Sequence, residues 1–561
     1  MGGSSPGAAE TVGRAAAERA LAPHVAVLGA LAVLLAAGIV IVALNSLDYE
    51  GMWWDESASF WGSQGLSKYS TDPFAQRRGV LEVLRMNCRE NLDPGGFHVL
   101  LHLWTKAGKG LAWLRSLPFG FMLLGTVSFG LLGWRLTRSL NFALAASAVP
   151  LLYPATLYFG FEIRAFSMEM AGVACVALLL VLALEKPSLS RLAALGLTCS
   201  AFLTSRYSFI FTVAGLVAAV FSVSVHQRLG GKKIARRLAV VVLPIAVVGV
   251  GIASVIMVRQ MWPEMKGGGV GLSAPTYTHR SVLGDVPNAG ALVFRNLFSP
   301  AGLPSTIAVL FFLFARRPTY ALFASNEQEG PELAGVRERF SALYVLVFSI
   351  QVLSVAASLV GMYPWDIEAR WSAYLATVSA LSAIVLAAES TVLVRFVLSN
   401  RVDGGGLRRL SEQAGILMAS LVVLAAFHDC LTHRQSFGHS RAGGRPRTSV
   451  ALQIDKLPIP TLREGSVFVA FYEAPVLRYL YEYGPYSGRA EYPRVFKLET
   501  QAEWWAKVPI DADREGIGYI VSGLSLDEAS ARFPSSTLVQ VGPETCRLLR
   551  VAGKGQPSVP E

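Results

Sequence analysis

Tyr49-Glu50-Gly51-Met52-Trp53-Trp54-Asp55-Glu56-Ser57-Ala58-Ser59-Phe60 stands directly after the first long apolar run of the chain, which extends from about Val25 to Leu44. Two adjacent carboxylates among aromatic residues, where a chain leaves a bilayer, are costly to place without a role. One role is structural: acids suit the first turn of a helix, so Asp55 and Glu56 would cap the helix that follows. The other is chemical, a carboxylate held as a general base beside the membrane surface.

The surrounding chain supports a membrane setting. Its 561 residues are 53% hydrophobic and only 16% charged, where a soluble domain is about one quarter charged. Mean hydropathy is +0.45. The first apolar run is too long for a cleaved signal peptide and no small-residue cleavage site follows it, so it reads as a retained helix. Pro6 occupies the place where a myristoylation signal wants Ser or Thr.

About eleven spanning segments are expected, near 25–46, 116–134, 140–158, 165–184, 189–204, 207–225, 238–258, 297–314, 341–361, 371–393 and 412–430. The formal charge is +11, but its distribution argues against nucleic acid. Bases gather in alternate short connections: Arg135 and Arg138, Lys186 and Arg191, Arg228 to Arg237, Arg316 to Arg339, Arg395 to Arg409. That is the positive-inside signature. It puts the N-terminal tail, 1–24, in the cytosol. Phe97–Trp104 is too short to cross, so the 47–115 loop and the C-terminus both fall outside.

The expected fold is a polytopic α-helical membrane domain over 25–432, with a large first extracytoplasmic loop. From about Gly443 the pattern changes. Ser466–Phe471 and Gly518–Ser522 alternate like strands, and 474–483, 502–507 and 526–533 are helix-like. A small extracytoplasmic α/β domain over 443–552 follows, then a tail, 553–561. Of the five cysteines, Cys175 and Cys199 read as core residues; a disulfide among Cys88, Cys430 and Cys546 is left open.

On the outer side the charged residues are few and oddly placed. They are Asp55, Glu56 and Asp93 in the first loop, Glu162-Ile163-Arg164 after the third span, Ser205-Arg206-Tyr207, and Asp366 to Arg370. A guanidinium fork suits phosphate oxygens and offsets the charge of a departing phosphate. Each arginine also has a plainer reading, snorkelling to headgroups, and Glu162 one as the ion-pair partner of Arg164. His98 and His102 share a helical face at metal-ligand spacing, or else simply pack at the interface. Gln76–Arg89 reads as a basic amphipathic helix lying on the membrane.

An aromatic-flanked Asp55-Glu56, then Asp93-Pro94 ahead of an apolar helix, Leu114-Arg115-Ser116-Leu117-Pro118-Phe119-Gly120, and Glu162-Ile163-Arg164-Ala165-Phe166-Ser167 occur in that order. This order resembles the integral-membrane glycosyltransferases of the GT-C type, among them the lipid A aminoarabinose and galacturonic acid transferases and the protein O-mannosyltransferases. The resemblance covers roughly residues 25–395. It implies an inverting transfer of a sugar from a polyprenyl-phosphate donor to a glycolipid, polysaccharide or protein acceptor. In it Asp55 is the base, Glu56 its neighbour and Glu162 the second catalytic acid. Arg164, Arg370 and Arg206 fall to the donor phosphate, and Trp54, Asp93 and His98 to substrate contact. No cofactor is expected to be required, and a divalent metal is left open. Pro94-Gly95-Gly96-Phe97 departs from the family's Pro-Pro-Leu-Tyr, and Glu162 stands where some relatives have Asp. The alternatives are a polymerase or ligase of lipid-linked glycan, and a transporter of lipid-linked sugar.

Overall fold

The computed structural model describes residues 25–44, 52, 54–67, 78–90, 93–252, 291, 294–295, 297–299, 301–324, 331–359, 374–401 and 405–432. In the C-terminal part it describes 466–469, 479, 483, 495–496, 517–522, 527, 537–540 and 547–552. In chain order the helices are α1 (Val25–Leu44), α2 (Trp54–Ser63), α3 (Val80–Glu90), α4 (Gly96–Trp104), α5 (Leu111–Thr137), α6 (Leu140–Ala148), α7 (Pro154–Phe159) and α8 (Phe166–Glu185). They continue with α9 (Leu189–Leu203), α10 (Ile210–His226), α11 (Gly231–Ile252), α12 (Leu303–Leu310), α13 (Arg316–Ala324), α14 (Pro331–Leu359), α15 (Tyr374–Arg401) and α16 (Gly405–Thr432).

Among the described residues, 8 helices are long and apolar enough to cross a membrane: α1, α5, α8, α10, α11, α14, α15 and α16. The other three expected spans coincide with shorter or interrupted helices. Over 140–158, Ser139 caps α6 by accepting the Phe142 N–H, but the chain tightens into a 3₁₀ turn at Val149–Leu152 and goes extended at Tyr153. Pro154 then opens α7. Proline has no N–H to continue a helix and a φ suited to starting one, which explains the break. The 297–314 segment contains α12 and a π turn, Phe311–Ala315, that leads into α13.

The core is built around α8, whose side chains are buried along most of its length. Small residues allow that. A Cβ on Gly125 of α5 would stand 3.4 Å from the Ala171 Cα, and one on Gly172 would press into the rings of Phe202 and Phe209. Close backbone approach of this kind is how helices gain packing where solvent supplies no hydrophobic drive.

The bundle has two chemically different ends. The starts of α5, α8 and α10 and the end of α9 share one end. The ends of α5, α8 and α15 and the start of α14 share the other, where Glu185 meets Arg135, Arg138 and Arg339.

α2, α3 and α4 lie over the first end. α4 has 9 residues, too few to cross. Its entry depends on two glycines. Gly95 sits at φ 95°, in the left-handed region. A Cβ on Gly96 would be 2.0 Å from Thr204 Oγ1, and the Gly96 N–H donates to the Thr204 carbonyl at 2.9 Å. This close approach to α9 is the physical reason for Gly-Gly at a position where the resembling family carries bulkier residues. α3 starts at Val80, later than the expected amphipathic helix over Gln76–Arg89.

In the C-terminal part, strands β1 (Ser466–Val469), β2 (Val495–Phe496), β3 (Ile517–Ser522), β4 (Thr537–Gln540) and β5 (Arg547–Ala552) form one sheet of order β2-β1-β3-β5-β4. β1 pairs in parallel with β2 and β3, with Val467 opposite Tyr519, and β5 runs antiparallel to β3 and β4. β1 covers residues 466–469 of the expected strand 466–471, and β3 contains the expected strand 518–522. The helix-like stretches between strands lie outside the described residues, apart from Tyr479, Tyr483 and Asp527. Cys175, Cys199 and Cys430 are buried free thiols; Cys88 and Cys546 are not described at the side-chain level.

Replacing Gly96 with Ala should destabilise the protein by about 1–3 kcal/mol, the usual effect of overpacking. Thermal unfolding in detergent measures it. An unchanged midpoint would mean that α4 does not approach Thr204 this closely in solution.

Candidate active site

The two acids of the opening stretch begin α2, in its first turn, so their capping position holds. A helix advances about 100° per residue, and that step sends them to different surroundings. Glu56 is fully buried, and its two oxygens accept from Arg115 Nε at 3.2 Å and Nη2 at 2.8 Å. Arg115 is itself fully buried at the start of α5. The Ile163 N–H adds a third contact to Glu56, at 3.3 Å. Asp55 is also buried, at 8% exposure, with Arg164 Nη1 at 3.6 Å.

Glu162 and Arg164 are carried by irregular backbone between α7 and α8. The Arg164 N–H donates to the Glu162 carbonyl at 2.5 Å. Because α8 begins only at Phe166, Glu162 and Glu169 are not on one face of a single helix, as a continuous helical reading would have them. Glu162 is 1% exposed. Arg164 is half-buried, and its guanidinium stands 5.9 Å from the Phe166 ring centre.

Arg206 also lies near that ring, 4.5 Å from the same centre. Arg206 Nη1 pairs with Glu169 at 3.2 Å and Nε with Asp93 at 3.5 Å, while Ser208 donates to Glu169. Asn87, buried, donates to the Asp93 carbonyl at 2.5 Å and so ties α3 to the segment before α4. His102 Nδ1–H donates to the Ser63 carbonyl at 2.8 Å, which fastens α4 to α2. His98 is buried beside Phe97. Among the described residues no three His, Cys, Asp or Glu side chains converge as metal ligands.

The C-terminal part reaches this cluster. Tyr479 stacks edge-on to Phe60 of α2 at 5.1 Å and donates to the Lys109 carbonyl at 2.7 Å. Tyr483 meets Phe60 and Trp61, with Lys109 Nζ 4.6 Å from its ring centre. Burial pushes the Tyr479 phenol well above its ordinary pKa, against the opposing pull of the Arg115 guanidinium.

The assembly therefore holds five carboxylates, Asp55, Glu56, Asp93, Glu162 and Glu169, and three guanidinia at one end of an apolar bundle. No family model and no curated protein matches the chain. Solved structures do. ArnT from Cupriavidus metallidurans in the apo state aligns with 13% identity over 93% of this chain and 98% of its own, at TM-score 0.51. The same enzyme bound to undecaprenyl phosphate aligns with 14% identity over 95% and 99%, at TM-score 0.50. The chain has the GT-C fold. The oligosaccharyltransferase AglB from Archaeoglobus fulgidus aligns more loosely, with 11% identity over 88% of this chain and 69% of its own, at TM-score 0.44.

Within this GT-C chain, Asp55, Glu56, Glu162, Arg164, Arg206, Asp93 and His98 all occupy the same end of the bundle. Trp54 is in the first turn of α2, its side chain outside the described residues, and Arg370 lies outside them altogether. Two members of the cluster were not among the expected site residues. Arg115 was legible as a lone arginine opening the second span. Glu169 was legible as an acid within an apolar run.

Removing one partner of the Glu56–Arg115 pair leaves an uncompensated buried charge. Arg115→Met should therefore cost about 3–5 kcal/mol, and Glu56→Leu combined with Arg115→Met should recover much of it. Thermal unfolding of the single and double variants measures both. Equal loss in both would mean that the helices, and not the charge pair, carry the stability.

Proposed function

We propose that the chain is an inverting glycosyltransferase that moves a sugar from a polyprenyl-phosphate donor to an extracytoplasmic acceptor, with Asp55 as general base. The observation that carries the reading is the division of the two adjacent acids. Glu56 is occupied by Arg115, and Asp55 faces a half-buried arginine, Arg164, at 3.6 Å. The fold supports it: the similar ArnT is an enzyme whose bound state holds undecaprenyl phosphate.

The chemistry balances with these groups. The acceptor oxygen bonds to the anomeric carbon from the face opposite the phosphate, which inverts that centre. The C–O bond to phosphate breaks, its electron pair leaves on the lipid phosphate, and the acceptor proton passes to the Asp55 carboxylate. The donor supplies a good leaving group, so no general acid is needed. Arg164 offsets the phosphate charge. Phosphate oxygens competing for Arg164 draw it from Asp55, and a carboxylate relieved of its cation is a better base. Donor binding thus prepares the base. Arg206, held by Asp93 and Glu169, supports the site beside the Phe166 ring; Glu56 with Arg115 fixes α2. Glu162 orients Arg164. Arg370 is assigned with Arg164 to the donor phosphate, and Trp54, Asp93 and His98 to substrate contact.

In this reading all eleven apolar segments cross. The N-terminus is cytosolic, and the C-terminal α/β domain is extracytoplasmic. The basic residues at the Glu185 end support that sidedness.

Asp55→Asn keeps the shape and removes the basicity, so transfer should fall by roughly 10²–10⁴-fold with folding retained. The assay is initial rate with purified enzyme and a synthetic polyprenyl-phosphate sugar. Near-normal turnover would remove Asp55 from the role. Arg164→Lys should weaken the donor dependence and leave the acceptor dependence almost unchanged, because one ammonium does not replace a guanidinium fork. An effect confined to the acceptor would reassign Arg164.

Sidedness has its own test. Alkaline phosphatase, active only outside the cytosol, should be active when fused after Val551 and inactive when fused after Gly405. The reverse pattern would overturn the orientation.

A further inference from the structure

The end of the bundle opposite the acid-rich site carries a charge arrangement that the transfer reaction does not use. α8 ends on Glu185, and three guanidinia from two other helices converge on it. Arg339 Nη1 is at 3.1 Å, Arg135 Nη1 at 3.4 Å and Arg138 Nη2 at 3.7 Å. A fourth arginine, Arg395 of α15, donates to the Thr137 carbonyl at 2.6 Å, one residue from Arg138. The carboxylate balances one of the four cations.

The arginines are not placed alike. Arg339 is largely covered, whereas the Arg135 and Arg138 side chains are 35% and 57% exposed. These two flank Trp134, their guanidinium carbons 5.2 and 5.6 Å from its ring centre. Arg138 is also the residue that ends α5, at φ 57°. A left-handed helix terminus favours glycine, and a side chain there is disfavoured. Among the described residues the only non-glycine positions with positive φ are Arg138 and Arg228, and both are arginines. At Arg138 a charged fork is kept where the backbone alone would prefer none.

We propose that Arg135, Arg138 and Arg395, around the Glu185 hub, form a binding site for the phosphodiester of an anionic phospholipid. The site stands at the membrane-interface end of four helices, where an indole sits at headgroup level. A phosphate oxygen pair accepts from a guanidinium fork in two parallel hydrogen bonds. The acyl chains then lie against the exposed apolar residues of α5, Leu124, Val127 and Leu131. Basic pockets between spanning helices bind lipid headgroups by this combination of charge and adjacent apolar surface. The bound lipid supplies the missing counter-charge and joins α5, α8, α14 and α15.

The test uses the full chain in mild detergent. Bound phospholipid is identified by native mass spectrometry, and thermal unfolding is followed with added phosphatidylglycerol, phosphatidylcholine, glycerol 3-phosphate or inorganic phosphate. Wild type should retain phosphatidylglycerol over phosphatidylcholine and be stabilised by it. Each arginine removed should weaken that preference by roughly fivefold. Arg138→Gly is the informative variant, because glycine fits φ 57° and folding should not suffer. If Arg138 serves only to end the helix, Arg138→Gly keeps the full lipid preference and the proposal fails. Equal retention of phosphatidylglycerol by the Arg135→Gln/Arg138→Gln double variant would also overturn it. Stabilisation by inorganic phosphate or glycerol 3-phosphate equal to that by phosphatidylglycerol would assign the site to a soluble phosphate and overturn the lipid reading. Donor turnover at the far end should be unaffected in Arg138→Gly, which separates this site from the transfer reaction.

Discussion

The Glu56–Arg115 ion pair is the contact on which the geometry of the first membrane end depends. It is bidentate and water-excluded, and it joins the helix of the first loop to the second spanning helix. Its third partner, the Ile163 N–H, belongs to the irregular segment that carries Glu162 and Arg164. One carboxylate therefore sets the mutual position of three pieces of chain that are far apart in sequence. Buried pairs of this kind add little net stability relative to apolar packing, but breaking one is expensive. With Glu56 held against Arg115, the helical step turns Asp55 to a different side, toward Arg164.

The Phe166 ring organises the other charges. Arg164 and Arg206 both approach it, and each is also paired with a carboxylate. An aromatic ring face attracts cations. Arg206 is held in a closed network with Asp93, Glu169 and Ser208, whereas Arg164 has the looser pairing and the greater exposure. The two arginines look equivalent as residues beside aromatics, and the difference in their partners distinguishes them.

Arginines occur at both ends of the bundle, but in different company. At the acid-rich end carboxylates outnumber them. At the other end three of them converge on Glu185, and a fourth, Arg395, holds the Thr137 carbonyl. The first arrangement suits a reaction in which an anion arrives and leaves, and the second a resident anion. Tyr479 and Tyr483 add a further link, since they bring the C-terminal part into contact with the helix that carries Asp55.

The sequence by itself determined the membrane class, the helical bundle and the end at which isolated acids and arginines gather. Those follow from local quantities: the length of apolar runs, the side on which bases accumulate, and acids left where a bilayer disfavours them. Asp55, Glu162, Arg164 and Arg206 each stood out in this way, and strands expected at 466–471 and 518–522 correspond to β1 and β3. Partnership was not legible. That Glu56 belongs to Arg115, that Glu169 holds Arg206, and that Pro150 and Pro154 split an apparent span were decided by the tertiary structure. So was the need for Gly95 and Gly96 against Thr204. An ion pair or a close backbone approach between residues about 37 to 113 apart leaves no periodicity in the chain. It exists only once packing has excluded water and brought the two groups within reach.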